Sequence, residues 1–461
     1  MRGFLASSVG VTCAAALALP LVLSAPAQAG PRAAKTDPAV PGSTRSLPLV
    51  PLGDDRALGP AAPEQGLTRR AVRSFSLVGV IWDDPDTELR GRVQVRIRAS
   101  GTTHWTGWQD IETHNHEHGA DPGTAESGSG RVRGSTAPLW VGDSDGVEVR
   151  VQAEVDERST SPGESPLPRG MHLELVDPDA KPRSGEASTA GGRATGSNAT
   201  SNAETYPATT AADAAEAAHE ATAANAALAP LGATEIPALS KARTEREYLA
   251  AHQGRPGATP YIGARPRIVT RRGWGADEGL RERGLVYTEK VKAAFVHHTA
   301  SGNNYRCSQA PSVVRSIYRY HVVSSGWRDI GYNFLVDRCG TIYEGRAGGV
   351  GKPVMGAHTL GFNSDTMGIA VLGSFAATRP APAALKAVAR LTAWKLGLYG
   401  VNPRGKTYLK SGGGNLYRKG KNVRLNVISG HRDGFATECP GRLLYGKLGS
   451  ARTTAARYQG R

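Results

Sequence analysis

One stretch near the C-terminus, residues 429–441, constrains the fold of this chain most. It follows an alternating apolar run at 423–428 that predicts a strand, and it carries His431 and Cys439 before a Pro-Gly turn. An imidazole and a thiolate held at a strand end are good zinc ligands. A second apolar run, at 293–296, leads directly into His297 and His298. Three such ligands would leave one tetrahedral position for water, which is the pattern of catalytic zinc sites.

The segment around these ligands, residues 265–455, mixes strand and helix patterns. Apolar or alternating runs predict five strands, at 292–298, 333–336, 341–343, 368–372 and 423–428. Helical spacing marks three further segments, at 312–321, 383–398 and 443–448. The mixture predicts an α/β domain with a central mixed β-sheet flanked by helices.

The N-terminal half has strand patterns without helical spacing. Apolar or alternating runs at 75–82, 93–99, 147–155 and 172–176 are separated by turn residues. They predict a separate all-β, sandwich-like domain over residues 74–176. We expect residues 30–73 to be a flexible arm. Residues 177–264, rich in Ala, Ser, Thr and Gly, should be a linker with a weakly anchored helix at 211–228.

Three histidines alternate inside the β region, at His114, His116 and His118. Their spacing could serve a metal site, but the surrounding Asn, Glu and Gly residues are typical of a solvated loop. The loop is the interpretation that we prefer, so these histidines are not counted among the zinc ligands.

The N-terminus predicts export. Arg2 precedes a short apolar run at 9–23, and residues 27–29 (Ala-Gln-Ala) form a small-x-small cleavage site, so residues 1–29 read as a signal peptide cleaved near Ala29. No other run is long and apolar enough to predict a transmembrane segment. We therefore expect a secreted protein, extracellular or associated with a cell wall.

Three cysteines remain once the leader is removed. In an exported protein we expect Cys307 and Cys339 to form a disulfide. Cys439 would then be a metal thiolate, and the alternative is a simply buried cysteine. A proline and a glycine follow it and His431 lies nearby, which favours the metal.

The formal charge of +15 and the sequence pI of about 9.8 favour contact with polyanions. Arg and Lys are scattered and no nucleic-acid-binding motif is present, so we expect no nucleic acid partner. Anionic wall polymers fit the charge better. We expect a monomer.

Several motifs together resemble the peptidoglycan recognition protein family, which belongs with the zinc N-acetylmuramoyl-L-alanine amidases of the phage-lysozyme type. They are Val-His-His-Thr-Ala at 296–300, Gly-Trp-Arg-Asp-Ile-Gly-Tyr-Asn-Phe at 326–334, Tyr-Glu-Gly-Arg at 343–346, Gly-Ala-His-Thr at 356–359 and the stretch at 429–441. The resemblance runs from about residue 267 to 445 and does not include the β region.

The resemblance implies one Zn²⁺ per amidase domain, bound by His297, His431 and Cys439. It also implies hydrolysis of the amide between the lactyl group of N-acetylmuramic acid and the first L-alanine of peptidoglycan or its muropeptides. Tyr332 and Thr437 match positions beside the reacting centre. Residues implied or expected in the substrate groove are His298, His321, Trp327, Arg346, His358 and Asn363.

Two other functions are compatible with the same motifs. The family includes proteins that bind peptidoglycan without cutting it, usually because the cysteine ligand is replaced, whereas Cys439 is present here. A zinc peptidase acting on the stem peptide itself is the second alternative. For the β domain we expect a wall-binding accessory role with no part in the chemistry, the alternative being a folding or processing aid.

Overall fold

The computed structural model of the protein describes residues 41–52, 64–113, 115–154, 167–181, 210–252 and 260–461. The predicted signal peptide, half of the predicted arm, part of the predicted linker and His114 lie outside these ranges. Among the helices within them, none combines the length and the apolar character that crossing a bilayer requires.

The N-terminal domain is an antiparallel β-sheet in which the strand order is β1-β8-β3-β7-β4-β5, with the short β2 and β6 both paired to β3. Its strands are β1 Ser43–Pro48, β2 Val50–Pro51, β3 Glu64–Trp82, β4 Gly91–Ala99, β5 Gln109–Ile111, β6 Gly134–Ser135, β7 Leu139–Ala153 and β8 His172–Asp177. The pairing of β3 with β7 shifts register three times. Such irregularities bend a strand and increase its twist, so the long strands curve around the domain's own core.

The predicted flexible arm at 30–73 was wrong for its described residues, 41–52 and 64–73. β1 pairs along the whole of β8, from Ser43 opposite Asp177 to Pro48 opposite His172, and β3 already begins at Glu64. Leu47 and Leu49 pack against the domain core. Three nearby prolines, at positions 41, 48 and 51, make this edge strand difficult to predict from the sequence. Proline cannot donate a hydrogen bond to a sheet ladder, so its presence argues against a strand.

The C-terminal domain has the predicted central mixed sheet. It contains nine further strands: β9 Glu235–Ile236, β10 Ile268–Val269, β11 Ala293–His298, β12 Phe334–Val336, β13 Ile342–Glu344, β14 Thr366–Val371, β15 Lys406–Lys410, β16 Asn422–Asn426 and β17 Ile428–Gly430. Seven form the sheet in the order β17-β11-β14-β12-β13-β10-β9. β11 is parallel to both of its neighbours, whereas β12 and β13 form an antiparallel hairpin.

Helices cover this sheet: α1 Ala211–Ala223, α2 Lys241–Ala251, α3 Arg271–Trp274, α4 Ala310–Arg319, α5 Pro382–Gly397, α6 Arg442–Tyr445 and α7 Leu448–Gln459. Two predicted elements are corrected. The strand at 423–428 is divided, because β16 pairs with β15 outside the main sheet and only β17 joins β11. The closing helix is two helices, and α7 extends past the predicted boundary at residue 455.

The described second half of the predicted linker is part of the C-terminal domain. β9 adds to the sheet edge beside β10, and Asn225 donates a hydrogen bond to the buried Glu344 (2.8 Å). The guanidinium of Arg281 donates to the carbonyl of Ala217 in the middle of α1 (2.8 Å). The small alanine side chains of α1 allow this close approach. The lack of large apolar side chains in this segment therefore does not mean that the helix is weakly anchored.

The β domain packs against the C-terminal domain, so the expected separation by a flexible linker does not hold for the described residues. Every residue from Leu77 to Trp82 is buried. Val78, Val80 and Trp82 face the β core, whereas Leu77 and Ile81 join a cluster with the α4 residues Val314 and Ile317. The two faces of one strand therefore belong to two cores, which explains the uninterrupted apolar run in the sequence.

Buried polar contacts fix the same interface. Tyr320, directly after α4, donates its hydroxyl hydrogen toward the carbonyls of Thr136 (3.1 Å) and Val80 (3.3 Å). The hydroxyl of Ser324 donates to the carboxylate of the buried Glu174 on β8 (2.7 Å). Because hydrogen bonds of buried groups need defined geometry, the β domain has one orientation on the C-terminal domain.

A buried lysine gives the C-terminal core a testable pH dependence. Lys395 on α5 is 2 % exposed and donates to the carbonyls of Val350 (2.7 Å) and Lys352 (2.6 Å), and burial lowers its pKa to about 7. The unfolded chain keeps a lysine pKa of about 10.4. Between about pH 7 and pH 10 the unfolded state therefore binds more protons, so the stability that this group contributes rises with pH.

We expect Lys395→Met to remove that rise. The free energy of unfolding of the unsubstituted protein should gain up to about 1.4 kcal/mol per pH unit relative to Lys395→Met between pH 7 and 9. Urea unfolding at pH 7, 8 and 9 measures it, with Lys386→Met on the exposed side of the same helix as the control. A difference between the two proteins that does not change with pH would contradict the prediction.

Candidate metal centre

Two histidines meet because neighbouring parallel strands end at the same edge of the sheet. β11 and β17 pair in parallel with Val296 opposite Gly430, so His297 and His431 occupy the next position on each. Both are fully buried, and their ring centroids lie 4.6 Å apart.

Cys439 returns to the same point from the turn that follows β17. Its Sγ lies 3.8 Å from Nδ1 of His297, and its backbone N–H donates to the hydroxyl of Thr437 (3.1 Å). The N–H of Arg432 donates to the Cys439 carbonyl (3.0 Å), which closes the loop between the two ligands. The structure thus brings together the three side chains expected from the sequence.

A fourth side chain enters this cluster from the β domain, and the sequence analysis missed it. His118 lies in the connection between β5 and β6, in a single 3₁₀ turn at His116–His118. Its ring centroid is 4.6 Å from that of His431 and 5.4 Å from that of His297. The solvated-loop interpretation was therefore wrong for His118, which is 5 % exposed, although His116 is partly exposed.

The four side chains fit a metal ion. Each of His118, His297, His431 and Cys439 offers one ligand atom, and these atoms all lie within 4.8 Å of one another. Neighbouring ligand atoms of a tetrahedral N/S site are roughly 3.5 Å apart, close to the observed separation of Sγ from Nδ1. Both ring nitrogens of His118 and of His431 are buried without a hydrogen bond of ordinary geometry to any described residue. Buried polar atoms of this kind need a partner, and a metal ion would supply it.

Electrostatics at the cluster agree with that fit. Burial lowers the pKa of His297 and of His431 well below the usual value, so both imidazoles are in the neutral form that binds metals. Burial also raises the pKa of the Cys439 thiol. A bound cation would reverse that effect, because a coordinating thiol is deprotonated by the charge of the metal.

His358 lies behind a ligand, not in an open groove as expected. Its Nδ1 is 3.3 Å from Nε2 of His297 and 3.0 Å from the hydroxyl of Thr359, and the Thr359 hydroxyl is 3.4 Å from the same Nε2. These contacts fix the ring of His297 with Nδ1 toward the cluster. Partners of this kind orient a ligand and set its tautomer.

Tyr332 and Thr437 border the cluster. The Tyr332 ring is 5.5 Å from that of His297, and burial raises the pKa of the phenol well above its usual value. The phenol is therefore a hydrogen-bond donor at neutral pH. The hydroxyl of Thr437 donates to a carboxylate oxygen of Glu117, the residue before His118 (2.8 Å).

Two expected groove residues face the β domain. Arg346 is 6 % exposed and forms a bidentate ion pair with Glu126, at 2.8 and 2.9 Å. The side-chain amide of Asn363 donates to a carboxylate oxygen of Asp121 (2.6 Å) and to the carbonyl of Gly119 (3.0 Å). In this structure both side chains are therefore occupied by the same connection that carries His118.

The remaining expected groove residues are also buried. His321 and Trp327 pack on each other with ring centroids 4.4 Å apart, and Nδ1 of His321 accepts the N–H of Gly331 (3.2 Å). Burial lowers the pKa of His321 to about 3, so it is neutral. His298 is outside the four-residue cluster, and its Nε2 lies 3.7 Å from a carboxylate oxygen of Glu112.

Cys307 and Cys339 form a disulfide in the structure, with Cα atoms 6.2 Å apart. It joins the segment before α4 to the β12–β13 hairpin. Cys439 is a free, buried cysteine, as a metal thiolate requires.

The mixed-sheet domain that carries the buried His/His/Cys cluster at its strand ends resembles known proteins. Residues 287–442 match the family model described as "N-acetylmuramoyl-L-alanine amidase", and residues 29–171 match "Rv3811 N-terminal galactose-binding domain-like". The protein thus has an N-terminal galactose-binding-like β domain and a C-terminal α/β amidase domain.

Peptidoglycan-recognition protein SC2 of Drosophila simulans is 31 % identical over 183 residues, which are 39 % of this chain and 84 % of that protein. The chain belongs to the peptidoglycan recognition protein family. The human N-acetylmuramoyl-L-alanine amidase is 32 % identical over 205 residues, 43 % of this chain and 31 % of that protein. The solved structure of Drosophila PGRP-LB aligns with a TM-score of 0.32 at 25 % identity, over 40 % of this chain and 93 % of that one.

Proposed function

We propose that this protein is a secreted, zinc-dependent N-acetylmuramoyl-L-alanine amidase that cuts the lactyl–L-alanine amide of peptidoglycan. The observation that carries the proposal is the meeting of His297, His431 and Cys439 beside Tyr332. Two histidines and a thiolate form a donor set suited to one Zn²⁺. The amidase match over residues 287–442 supports the same reaction class.

The chain's own residues would divide the work at this centre. Zinc, when bound, lowers the pKa of water toward ~7 and polarises a carbonyl. Tyr332 keeps its proton and can donate a hydrogen bond to the oxyanion that develops as the amide is attacked. His358 and Thr359 hold the ring of His297, and Thr437 holds the backbone of Cys439. The buried surroundings strengthen each of these interactions.

Two alternative functions would give different products from those of an amidase. A peptidoglycan-binding protein without activity would free nothing, and the presence of Cys439 and Tyr332 argues against it. A zinc peptidase would free fragments of the stem peptide. The proposed substrates are peptidoglycan and its muropeptides, with anionic wall polymers as further contacts of the basic chain.

Analysis of the products from purified peptidoglycan tests the proposal. We expect intact stem peptides with a new L-alanine amino terminus, and one zinc per protein by elemental analysis. Cys439→Ala is the matched inactive control. Shortened stem fragments, or a zinc-loaded protein that releases no product even after the substitutions described below, would contradict the proposal.

A further inference from the structure

The connection between β5 and β6 lies across the amidase groove. We call its residues 115–131 the groove loop. Its contacts fall on residues that the sequence assigns to the reaction: Thr437 beside the ligand cysteine, and Asn363 and Arg346 in the groove. Two backbone N–H groups of the C-terminal domain also contact this loop. The N–H of Leu360 donates to the Glu117 carbonyl (2.9 Å), and the N–H of Gly361 donates to a carboxylate oxygen of Asp121 (2.8 Å).

The metal cluster is closed by this loop. Three protein ligands leave a position for water or substrate, whereas four nitrogen and sulfur ligands are the pattern of a structural metal site. Neither ring nitrogen of His118 has a hydrogen-bond partner among the described residues, and the buried ring lies against that of His431. The geometry gives His118 the position that a reacting group would need.

The forces that hold the groove loop are polar. The carboxylates of Glu126 and Asp121 accept hydrogen bonds from Arg346 and Asn363, respectively. None of the described residues of the loop is a member of a hydrophobic core cluster. Gly123 and Gly130 adopt positive φ angles, of 80° and 70°, within it. A segment held mainly by polar contacts, with no side chain in a hydrophobic core, opens at lower free energy than the sheets on either side.

We propose that His118 is a fourth ligand of the metal and that the groove loop keeps the enzyme latent until it moves away. The inference rests on the proposed amidase function and adds its regulation. The closed state excludes substrate twice, by completing the coordination of the metal and by occupying Arg346 and Asn363. The open state retains His297, His431 and Cys439, which are sufficient for a catalytic site. The β domain is then the inhibitory element of the enzyme, in addition to any wall-binding role.

The ligand part of the proposal is tested by metal affinity, which does not depend on activity. In the full-length protein, competition with a chelator should show that His118→Ala binds Zn²⁺ at least about tenfold more weakly, a change of about 1.4 kcal/mol. His116→Ala, two residues away in the same turn but outside the cluster, is the matched control. Equal zinc affinity of His118→Ala and the unsubstituted protein would overturn the fourth ligand.

The latch is tested by binding of a soluble muropeptide, measured by calorimetry. Asp121→Asn combined with Glu126→Gln removes the carboxylates without touching the metal cluster, and it should bind at least about tenfold more tightly than the unsubstituted protein. Glu282→Gln is the control, because Glu282 pairs with Arg131 at the exposed end of the loop. His118→Ala, at saturating zinc, is the second opened variant. If neither opened variant binds the muropeptide more tightly, the latch is overturned.

Hydrolysis by the same set separates this inference from the proposed function. Faster release of stem peptides by both opened variants than by the unsubstituted protein supports both ideas. Tighter muropeptide binding without hydrolysis in any variant supports the latch and overturns the amidase. Equal hydrolysis and equal muropeptide binding by all proteins support the amidase and overturn the latch.

Discussion

Cys439→Ala should lose its zinc and lower the rate of amide hydrolysis at least about 10³-fold, more than the loss of a single oxyanion donor costs. Cys439 is the only thiolate candidate in the four-residue cluster. Its removal leaves imidazoles alone, whereas the surrounding structure is shaped to hold Sγ 3.8 Å from His297. The measurement is zinc content together with the rate on peptidoglycan, in the Asp121→Asn/Glu126→Gln background so that the groove is open.

Tyr332→Phe is the matched comparison. It should keep full zinc, because burial keeps the Tyr332 phenol protonated and a neutral phenol is not one of the usual zinc ligands, yet lose about 10²–10³ in rate if the phenol donates to the oxyanion. Full zinc retained by Cys439→Ala would contradict the ligand assignment.

Arg271→Met should destabilise the protein by about 3–5 kcal/mol, the largest effect on stability that we expect from a single side chain outside the metal centre. The guanidinium is 2 % exposed and pairs with Glu278 (2.7 and 3.1 Å) and Asp329 (3.0 Å), and it donates to the carbonyl of Gly345 (2.6 Å). Substitution leaves the buried carboxylate of Asp329 without its cation and leaves Glu278 with Arg281 as its remaining partner. Such an uncompensated buried charge accounts for the size of the effect.

Denaturant unfolding of Arg271→Met at neutral pH checks this value. Arg267→Ala is the control, because its pair with Glu235 is largely exposed and should contribute less than about 1 kcal/mol. Asp329 also accepts the N–H of Ala347, next to Arg346. We therefore expect Arg271→Met to disturb the backbone beside Arg346 in the groove as well as to lower the denaturant midpoint of unfolding. An unchanged midpoint would show that the ion pairs of Arg271 are not required for stability.

The meeting of His297 and His431 could be predicted because local patterns place them. His297 and His431 follow apolar strands, and parallel neighbouring strands bring such residues to one edge of a sheet. The split of residues 423–428 was not predicted, because alternation alone does not say which partner a strand pairs with. β15, which pairs with β16, lacks a strong apolar pattern.

His118 could not be placed from the sequence because its position depends on the docking of one domain on another. A turn rich in polar residues has the same local pattern whether it is solvated or inserted into a groove. One indirect signal was available. The run at 77–82 is apolar at every position except Gly79, which indicates a strand buried on both faces and hence a second surface against the β-sheet. Glu174 on the neighbouring strand β8 is buried for the same reason, because this surface is covered by the C-terminal domain. Its carboxylate accepts a hydrogen bond from Ser324 across the interface.

The short strand β9 has a consequence for how the amidase domain of this protein could be prepared alone. It covers β10 at one end of the seven-stranded sheet, with Ile268 opposite Ile236. A shortened enzyme that begins after β9 would present an open backbone edge with unpaired N–H and C=O groups, which is a template for other chains to add strands. Such a fragment would also uncover the apolar side of α4. A preparation of the C-terminal domain alone would therefore tend to form insoluble assemblies, and retaining the residues from α1 onward would protect the edge, though not the helix.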